Sequence, residues 1–191
     1  MASGSASGDI AVSPPSDPRH LDAAAIVSAL NRHDVRFVLI GAFAAIAQGA
    51  PIAPTRDIDF TPDETADNLG RLSAALNELD ARVRTGSDAG GVPFDHDAAS
   101  LRRAPIWNLI CRHGEFDISF RPSGFEGGYA QLIVRAHRMV IEGIELSVAD
   151  LDDVIRSKEA AGRPKDLRVL PDLYRFRRNR GGGLQDKPHT T

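Results

Sequence analysis

The chain has 191 residues, of which 42% are hydrophobic, 26% charged and 6% aromatic, a balance typical of one globular domain. No apolar run approaches the roughly 18 residues that a membrane-spanning helix requires, which excludes a bilayer protein. The single cysteine, Cys111, excludes an intramolecular disulfide and a cysteine-built metal site. Together these features indicate a protein of a reducing, cytoplasmic compartment.

Charge is unevenly distributed along the chain, although the formal net charge is only −3. From residue 156 onward there are ten Lys or Arg and four Asp or Glu residues, which gives +6 and leaves −9 for the first 155 residues. A basic flank of this kind suits a polyanionic substrate such as RNA or a nucleoside triphosphate. A solvated arginine-rich tail would give the same charge pattern.

The composition divides the chain into four segments. Residues 1–18 are rich in Ser, Gly, Ala and Pro and are predicted to form a disordered leader without the features of a secretory signal. Residues 181–191, which begin with three glycines, are predicted to form a flexible tail. Between them, helical and extended periodicities alternate. This predicts a core domain of mixed α and β structure over residues 19–148, followed by two helices over residues 149–180 that pack on it.

Apolar spacing and turn residues predict the individual elements. In chain order they are a helix over 20–34, a strand over 35–40, a helix over 42–48, a strand over 55–60, a helix over 62–79, a loop over 86–100, hairpins over 106–120 and 138–148, and helices over 149–161 and 164–178. The third helix carries its own start signal, because Thr61 to Glu64 follows the capping-box pattern with Thr61 as N-cap and Pro62 at the first helical position. In the second hairpin, Glu142 and Gly143 are predicted to form the turn.

Three aspartates are predicted to share one face of the sheet. Asp57 and Asp59 lie two residues apart in a strand, so their side chains project to the same side while Ile58 and Phe60 face the core. Two carboxylates this close do not both ionise readily unless a cation lies between them. Asp117 alternates with apolar residues in the same way and supplies a third carboxylate. Convergent carboxylates are the ligands that hold Mg²⁺ in phosphoryl-transfer sites, and an exposed strand with a polar face is the alternative.

The surroundings of these aspartates resemble a known fold. A buried strand ends in Gly41-Ala42 at the start of a helix, and the chain returns as Asp57-Ile58-Asp59. This arrangement resembles the minimal nucleotidyltransferase fold of the DNA polymerase β superfamily, in which a glycine turn precedes an Asp-x-Asp strand. The resemblance implies an α+β fold with a mixed β-sheet flanked by helices and a C-terminal helical segment.

The same resemblance implies roles for individual residues. Gly41 and Ala42 would cradle the triphosphate through backbone N–H groups, since Ala42 lacks the hydroxyl that serine supplies at this position in the family. The two aspartates of the Asp-x-Asp pair would bind Mg²⁺ together with Asp117, which matches the third aspartate of the family. Asp117 would also deprotonate or orient the acceptor hydroxyl. Arg56 would touch the triphosphate, or form a surface salt bridge.

A later segment narrows the resemblance. Lys158 shares a helix face with Leu151 and Ile155, so it points toward the domain and needs a phosphate or carboxylate partner, unless it extends along the rim of the core. With the Gly-Arg-Pro-Lys-Asp-Leu segment over residues 162–167, it looks like the C-terminal signature of the AbiEii and MenT type nucleotidyltransferase toxins of bacterial toxin–antitoxin systems. This resemblance implies Mg²⁺-dependent transfer of nucleotides from an NTP, with cytidine used by some members, to the 3′ end of tRNA. It also implies neutralisation by a cognate antitoxin.

The toxin resemblance also suggests what the C-terminal side chains do. Lys158 would hold a phosphate of the nucleotide. Asp166 would act in catalysis or orient Lys158, and an ion pair of Asp166 with Arg163 or Lys165 is the alternative. Exposed cations of the closing segment would bind RNA through electrostatics without reading its sequence. These candidates are Arg163, Lys165, Arg168, Arg175, Arg177 and Arg178.

Two other functions are compatible with the same residues. The chemistry could use a different acceptor, either a small molecule such as an antibiotic or a protein hydroxyl. Alternatively, the chain could be a catalytically silent binding module that keeps the fold, with Ala42 as the first sign of lost activity. Retention of all three carboxylates argues against that second alternative.

Overall fold

The computed structural model describes residues 21–182, which form a mixed β-sheet flanked by helices. The elements in chain order are α1 (Ala23–Arg32), β1 (Phe37–Ile40), α2 (Gly41–Ala47), β2 (Asp57–Pro62), α3 (Ala66–Glu78), β3 (Arg82–Val83), β4 (Ile106–Cys111), β5 (Gly114–Ser119), α4 (Gly128–Leu132), β6 (His137–Ile141), β7 (Ile144–Val148), α5 (Leu151–Ala161) and α6 (Pro164–Gly182). The seven strands lie in the order β3-β4-β5-β2-β1-β7-β6. The predicted α+β class is therefore confirmed.

The middle of the sheet combines antiparallel and parallel pairs. Strand β2 pairs antiparallel with β1 on one side and parallel with β5 on the other, and β1 also pairs parallel with β7. On one face of β2 and β5, Ile58, Phe60, Phe116 and Ile118 are fully buried in the core. The rings of Phe60 and Phe116 stack with their centroids 5.9 Å apart. Burying each of these side chains stabilises the fold by about 1.5–3 kcal/mol, so the apolar face is fixed and the polar face must point away from it.

Both predicted hairpins form. Strands β4 and β5 pair up to Cys111 opposite Gly114, which leaves a two-residue turn. Strands β6 and β7 pair up to Ile141 opposite Ile144, with Glu142 and Gly143 between them at φ values of 52° and 80°. Positive φ at both turn residues matches the right-handed twist of the strands, which confirms the predicted turn.

The predicted start of the third helix is wrong. Thr61 and Pro62 do not cap a helix but continue β2, opposite Val38 and Phe37 of β1. Helix α3 begins at Ala66, four residues later than predicted. A capping box is a local signal, and here completing the ladder with β1 prevails over it, although the Thr61 hydroxyl is buried without a hydrogen-bond partner among the described residues.

Strand β3 and helix α4 were not predicted, because they are too short to show a period. Strand β3 has two residues and pairs with β4 through Val83 opposite Leu109. Val83 also pairs with Val92, which lies in the segment predicted as a loop. Helix α4 has five residues and follows β5. Strand β3 positions a residue of the site, because the side chain of Arg84, the residue after it, extends across β4 to Asp117 on β5.

The two C-terminal helices pack on the rest of the chain. Helix α5 begins after Asp150, whose side chain accepts a hydrogen bond from the Asp152 N–H at 2.9 Å, and it ends at Gly162 in the left-handed region at φ 59°. Proline then opens α6, where its missing N–H costs no hydrogen bond. Their inward side chains join the same hydrophobic core as the sheet, including Val154, Ile155, Leu170 and Leu173.

The ends of the chain are only partly described. Helix α6 continues through Gly181 and Gly182, two residues that were predicted to begin the flexible tail. The predicted leader over residues 1–18 and the rest of the tail, residues 183–191, lie outside the described residues. Between residues 21 and 182, no helix is both long and apolar enough to cross a membrane.

Candidate active site

The three predicted metal-ligating aspartates converge at the middle of the sheet. In the parallel pairing of β2 with β5, Asp59 lies directly opposite Asp117, and Asp57 projects to the same face two residues earlier. One carboxylate oxygen from each of the three residues lies within 4.8 Å of the others. All three side chains are half-buried. Hard oxygen donors at this spacing are a ligand set that fits Mg²⁺.

The electrostatics of this triad favour a cation. Burial, followed by the negative charges of Asp57 and Asp117, raises the pKa of Asp59 to about 7, although two lysines of the opposite wall act in the other direction. Burial also raises the pKa of Asp117, and Arg84 opposes that rise. A divalent cation between the carboxylates would relieve their mutual repulsion.

Hydrogen bonds position two of the three carboxylates. The Thr55 hydroxyl donates to Asp57 Oδ1 at 2.5 Å. Arg84 Nη2 donates to Asp117 Oδ1 at 2.8 Å, and the Asn108 amide, turned so that its nitrogen faces Asp117, donates to Oδ2 at 3.1 Å. The sequence does not predict Thr55, Arg84 and Asn108 as site residues, because none of them belongs to a motif. The one signal for Asn108 is its place in the hairpin, where the pairing of β4 with β5 puts it opposite Asp117.

Gly41 occupies a position that no other residue fits. Its φ is +73°, in the left-handed region, and a Cβ there would collide with Asp59 Oδ2 and lie 2.8 Å from Asp59 Cγ. The backbone at the start of α2 therefore approaches the carboxylates closely. Ala42 follows it and lines the same cleft.

A buried ion pair joins the two C-terminal helices. Lys158 of α5 is only 9% exposed, and its Nζ donates to Asp166 Oδ1 at 3.1 Å. Arg163 Nε donates to Asp166 Oδ2 at 2.6 Å. Asp166 therefore pairs with two of the three partners that the sequence left open, Lys158 and Arg163, and the third was Lys165. Burial alone would raise the pKa of Asp166, but the hydrogen bonds from Arg163 and Lys158 outweigh it and lower the pKa.

The triad and the ion pair line one cleft of about 470 Å³. Around it the charges nearly balance: the acidic residues are the triad and Asp166, and the basic residues are Arg121, Lys158, Arg163 and Lys165. The predicted nucleotide-binding residues Gly41 and Ala42 also line it. Arg56, which precedes Asp57 in the chain, is exposed and does not line the cleft.

The predicted RNA-binding residues all lie on the surface of α6 or just before it. Arg163 and Lys165 reach the cleft, whereas the other four continue along α6 away from it. Arg175 pairs with Asp172 at 2.9 Å, and Arg177 pairs with Asp152 at 3.4 Å. The helical spacing of Arg168, Arg175 and Arg178 places them on one outward-facing side of α6.

Similarity to known proteins is confined to solved structures: no family model matches the chain, and no curated protein matches it significantly. Among solved structures it is similar to ANT(2'')-Ia in complex with adenylyl-2''-tobramycin, with 15% identity, a TM-score of 0.50, and coverage of 79% of this chain and 84% of that one. It is also similar to a candidate nucleotidyltransferase from Thermotoga maritima, with 18% identity, a TM-score of 0.49, and coverage of 81% and 91%.

The similarity to ANT(2'')-Ia defines the class of fold. The seven-stranded mixed sheet flanked by helices is a nucleotidyltransferase fold, as the sequence motifs predicted. At identities below one fifth the likeness concerns the backbone arrangement, and function must be argued from the site itself.

Proposed function

We propose that this chain is a Mg²⁺-dependent nucleotidyltransferase. The observation that carries the proposal is the meeting of three carboxylates from β2 and β5 within 4.8 Å of one another, in the cleft of a nucleotidyltransferase fold. Asp57, Asp59 and Asp117 would hold the metal. When bound, Mg²⁺ would neutralise charge on the phosphates and lower the pKa of a bound hydroxyl.

In this reaction an acceptor hydroxyl oxygen attacks the α-phosphorus of the triphosphate. A new oxygen–phosphorus bond forms as the bond from the α-phosphorus to the bridging oxygen breaks, and pyrophosphate leaves with that electron pair. The hydroxyl proton passes to a nearby base, for which Asp117 is the candidate because hydrogen bonds from Arg84 and Asn108 fix its orientation.

The opposite wall of the cleft supplies cations for the phosphates. Lys158 is held in place by Asp166, while Lys165 and Arg163 are exposed at the cleft. Because a lysine ammonium carries three donors, Lys158 can keep Asp166 and still contact a phosphate oxygen. We assign Gly41 and Ala42 to the nucleotide as well, since close backbone approach at Gly41 leaves room for a ligand over the triad. In this assignment Arg56 contributes at most from the rim.

For the acceptor we favour the 3′ end of tRNA, in a toxin of the AbiEii and MenT type that a cognate antitoxin would neutralise. An anionic acceptor is supported because the cleft leaves no free carboxylate for a cationic one: within residues 21–182 the only carboxylate lining it besides the triad, which would hold the metal, is Asp166, and Asp166 already has two cationic partners. The outward-facing arginines of α6 would bind the phosphates of an RNA strand that leaves the cleft.

A small-molecule acceptor is the second candidate. It is favoured by the likeness over 79% of the chain to ANT(2'')-Ia, whose structure contains adenylyl-2''-tobramycin. Tobramycin carries several amino groups, so a site for it would need unpaired carboxylates near the triad. That requirement makes it the weaker candidate here.

One experiment separates these functions. The protein is incubated with Mg²⁺, each α-labelled nucleoside triphosphate and either total RNA or tobramycin, beside Asp57→Asn and the matched control Asp80→Asn, whose carboxylate is 81% exposed. We expect label in small RNA with the wild type and the control, and none with Asp57→Asn. Label in tobramycin alone would replace the RNA proposal, and no turnover with any acceptor would refute the enzyme.

A further inference from the structure

The carboxylates of the triad differ in their partners. Asp57 is bound by a neutral donor, the Thr55 hydroxyl, and none of the described residues donates a side-chain hydrogen bond to Asp59. Asp117 alone is bound by a permanent cation, Arg84. Within the triad, Asp117 is thus the carboxylate whose negative charge is already partly compensated.

The backbone of Arg84 explains how its side chain reaches the site. Arg84 follows β3, and its N–H donates to the Asn108 carbonyl at 2.9 Å, which continues the pairing with β4 by one residue. From there the guanidinium spans β4 to reach β5. It binds Glu115 and Asp117 together, two residues that share one face because they are two apart.

A guanidinium suits this task because its planar fork binds two acceptors at fixed positions. Arg84 is also half-buried, with 27% of its side chain exposed, so water screens its charge less than on an open surface. Arg84 and Asn108 together engage both oxygens of Asp117. A metal in the triad must therefore share Asp117 with a cation that is already bound to it.

We infer that Arg84 is a positioning residue that fixes Asp117 for catalysis and weakens metal binding by the triad. The inference rests on the metal site of the proposed function. It assigns Arg84 two opposing effects: orienting Asp117 raises turnover, whereas its positive charge beside a ligand repels a divalent ion. A site tuned in this way would hold its metal loosely until a triphosphate arrives and supplies further oxygen ligands.

The test uses Mn²⁺ alone as the probe, titrated by calorimetry into the full chain. We compare wild type with Arg84→Met, which keeps the length of the stem without the charge, and with Arg84→Lys, which keeps the charge without the fork. Arg82→Ala is the matched control, since Arg82 pairs with Asp80 at 3.3 Å outside the cleft. Asp57→Asn shows whether the heat comes from the triad.

We expect Arg84→Met to bind Mn²⁺ about tenfold more tightly than wild type, because a repelling charge is lost. Its turnover at saturating Mn²⁺ should fall at least about tenfold, because Asp117 loses its orientation. Arg84→Lys should keep an affinity near that of wild type but recover only part of the turnover. The control should match wild type in both measurements.

A purely structural role for Arg84 gives the opposite sign, since a loosened site would bind Mn²⁺ more weakly. Equal or weaker binding by Arg84→Met in a variant with wild-type circular dichroism would therefore overturn the inference. If Arg84→Met does not fold, tighter binding by Arg84→Lys than by wild type overturns it instead. Absence of Mn²⁺ binding by both the wild type and a folded Arg84→Met, in which the triad is intact, would refute the metal site itself, and the proposed function with it.

Discussion

Asp59→Asn is expected to stabilise the metal-free protein at neutral and alkaline pH. Burial and the neighbouring carboxylates raise the pKa of Asp59 from its ordinary value of 3.8 to about 7. The unfolded chain ionises near the ordinary value, while the folded chain keeps this proton until about pH 7. The folded state is therefore favoured at low pH, and that advantage is lost as the pH rises toward 7. Asparagine does not ionise and escapes the loss.

The size of the effect follows from the pKa shift. Each pKa unit corresponds to about 1.4 kcal/mol, so a rise from 3.8 to about 7 amounts to about 4 kcal/mol once Asp59 is fully ionised. The side chain is only half-buried and the cleft is open to water, which screens part of this energy. We expect the variant to be more stable than wild type by about 2 kcal/mol above pH 7.

The measurement is urea unfolding with a chelator present, at about pH 5 and about pH 8.5. The stability difference between Asp59→Asn and wild type should grow by about 1 kcal/mol or more between these two pH values. Asp80→Asn, which changes an exposed carboxylate, should show no such growth. A difference that stays constant or shrinks as the pH rises would refute the proposed repulsion within the triad.

Three further predictions concern the site and the core. Gly41→Ala should abolish Mn²⁺ binding and lower the free energy of unfolding by about 1–3 kcal/mol, because the new Cβ would collide with Asp59. The control Gly70→Ala, at an open helical position, should leave this free energy unchanged or raise it. Calorimetry would measure Mn²⁺ binding, and urea unfolding would measure stability. Asp166→Asn should cost about 3 kcal/mol in urea unfolding, because it leaves the buried Lys158 without its charge partner, and unchanged stability would contradict this. Phe60→Ala should lower the free energy of unfolding by about 3–5 kcal/mol in the same assay. Val134 is 80% exposed, so Val134→Ala should lower it by less than about 0.5 kcal/mol. Comparable losses for the two variants would contradict the described core.

Much of the site could be read from the sequence because its signals are local. Asp57 and Asp59 had to share a face because strand residues alternate with a period of two, and the apolar residues that alternate with them, Ile58 and Phe60, fixed which face was buried. Lys158 had to point inward because of its helical spacing from two buried residues. The hairpin turn at Glu142 and Gly143 also depends only on neighbours in the chain.

Other features depend on strands that meet only in the folded chain. The continuation of β2 through Thr61 and Pro62 is decided by pairing with β1, which a local capping pattern does not reveal. The contact of Arg84 with Asp117 requires β3, β4 and β5 to lie side by side. The pattern of the sequence could not predict this contact, because β3 has only two residues and two residues show no alternation. A strand this short is stabilised by pairing with its neighbour and not by its own sequence.

The sequence by itself thus determined which side chains are acidic, which way each one faces within its own element, and that a basic segment closes the chain. The tertiary structure decided which of these side chains meet. Parallel pairing of β2 with β5, across more than fifty residues of chain, brings Asp117 beside Asp59, and packing of α5 on α6 gives Lys158 its partner. The physical reason is that side-chain direction follows from backbone geometry within a few residues, whereas the distance between segments follows from the burial of the whole core.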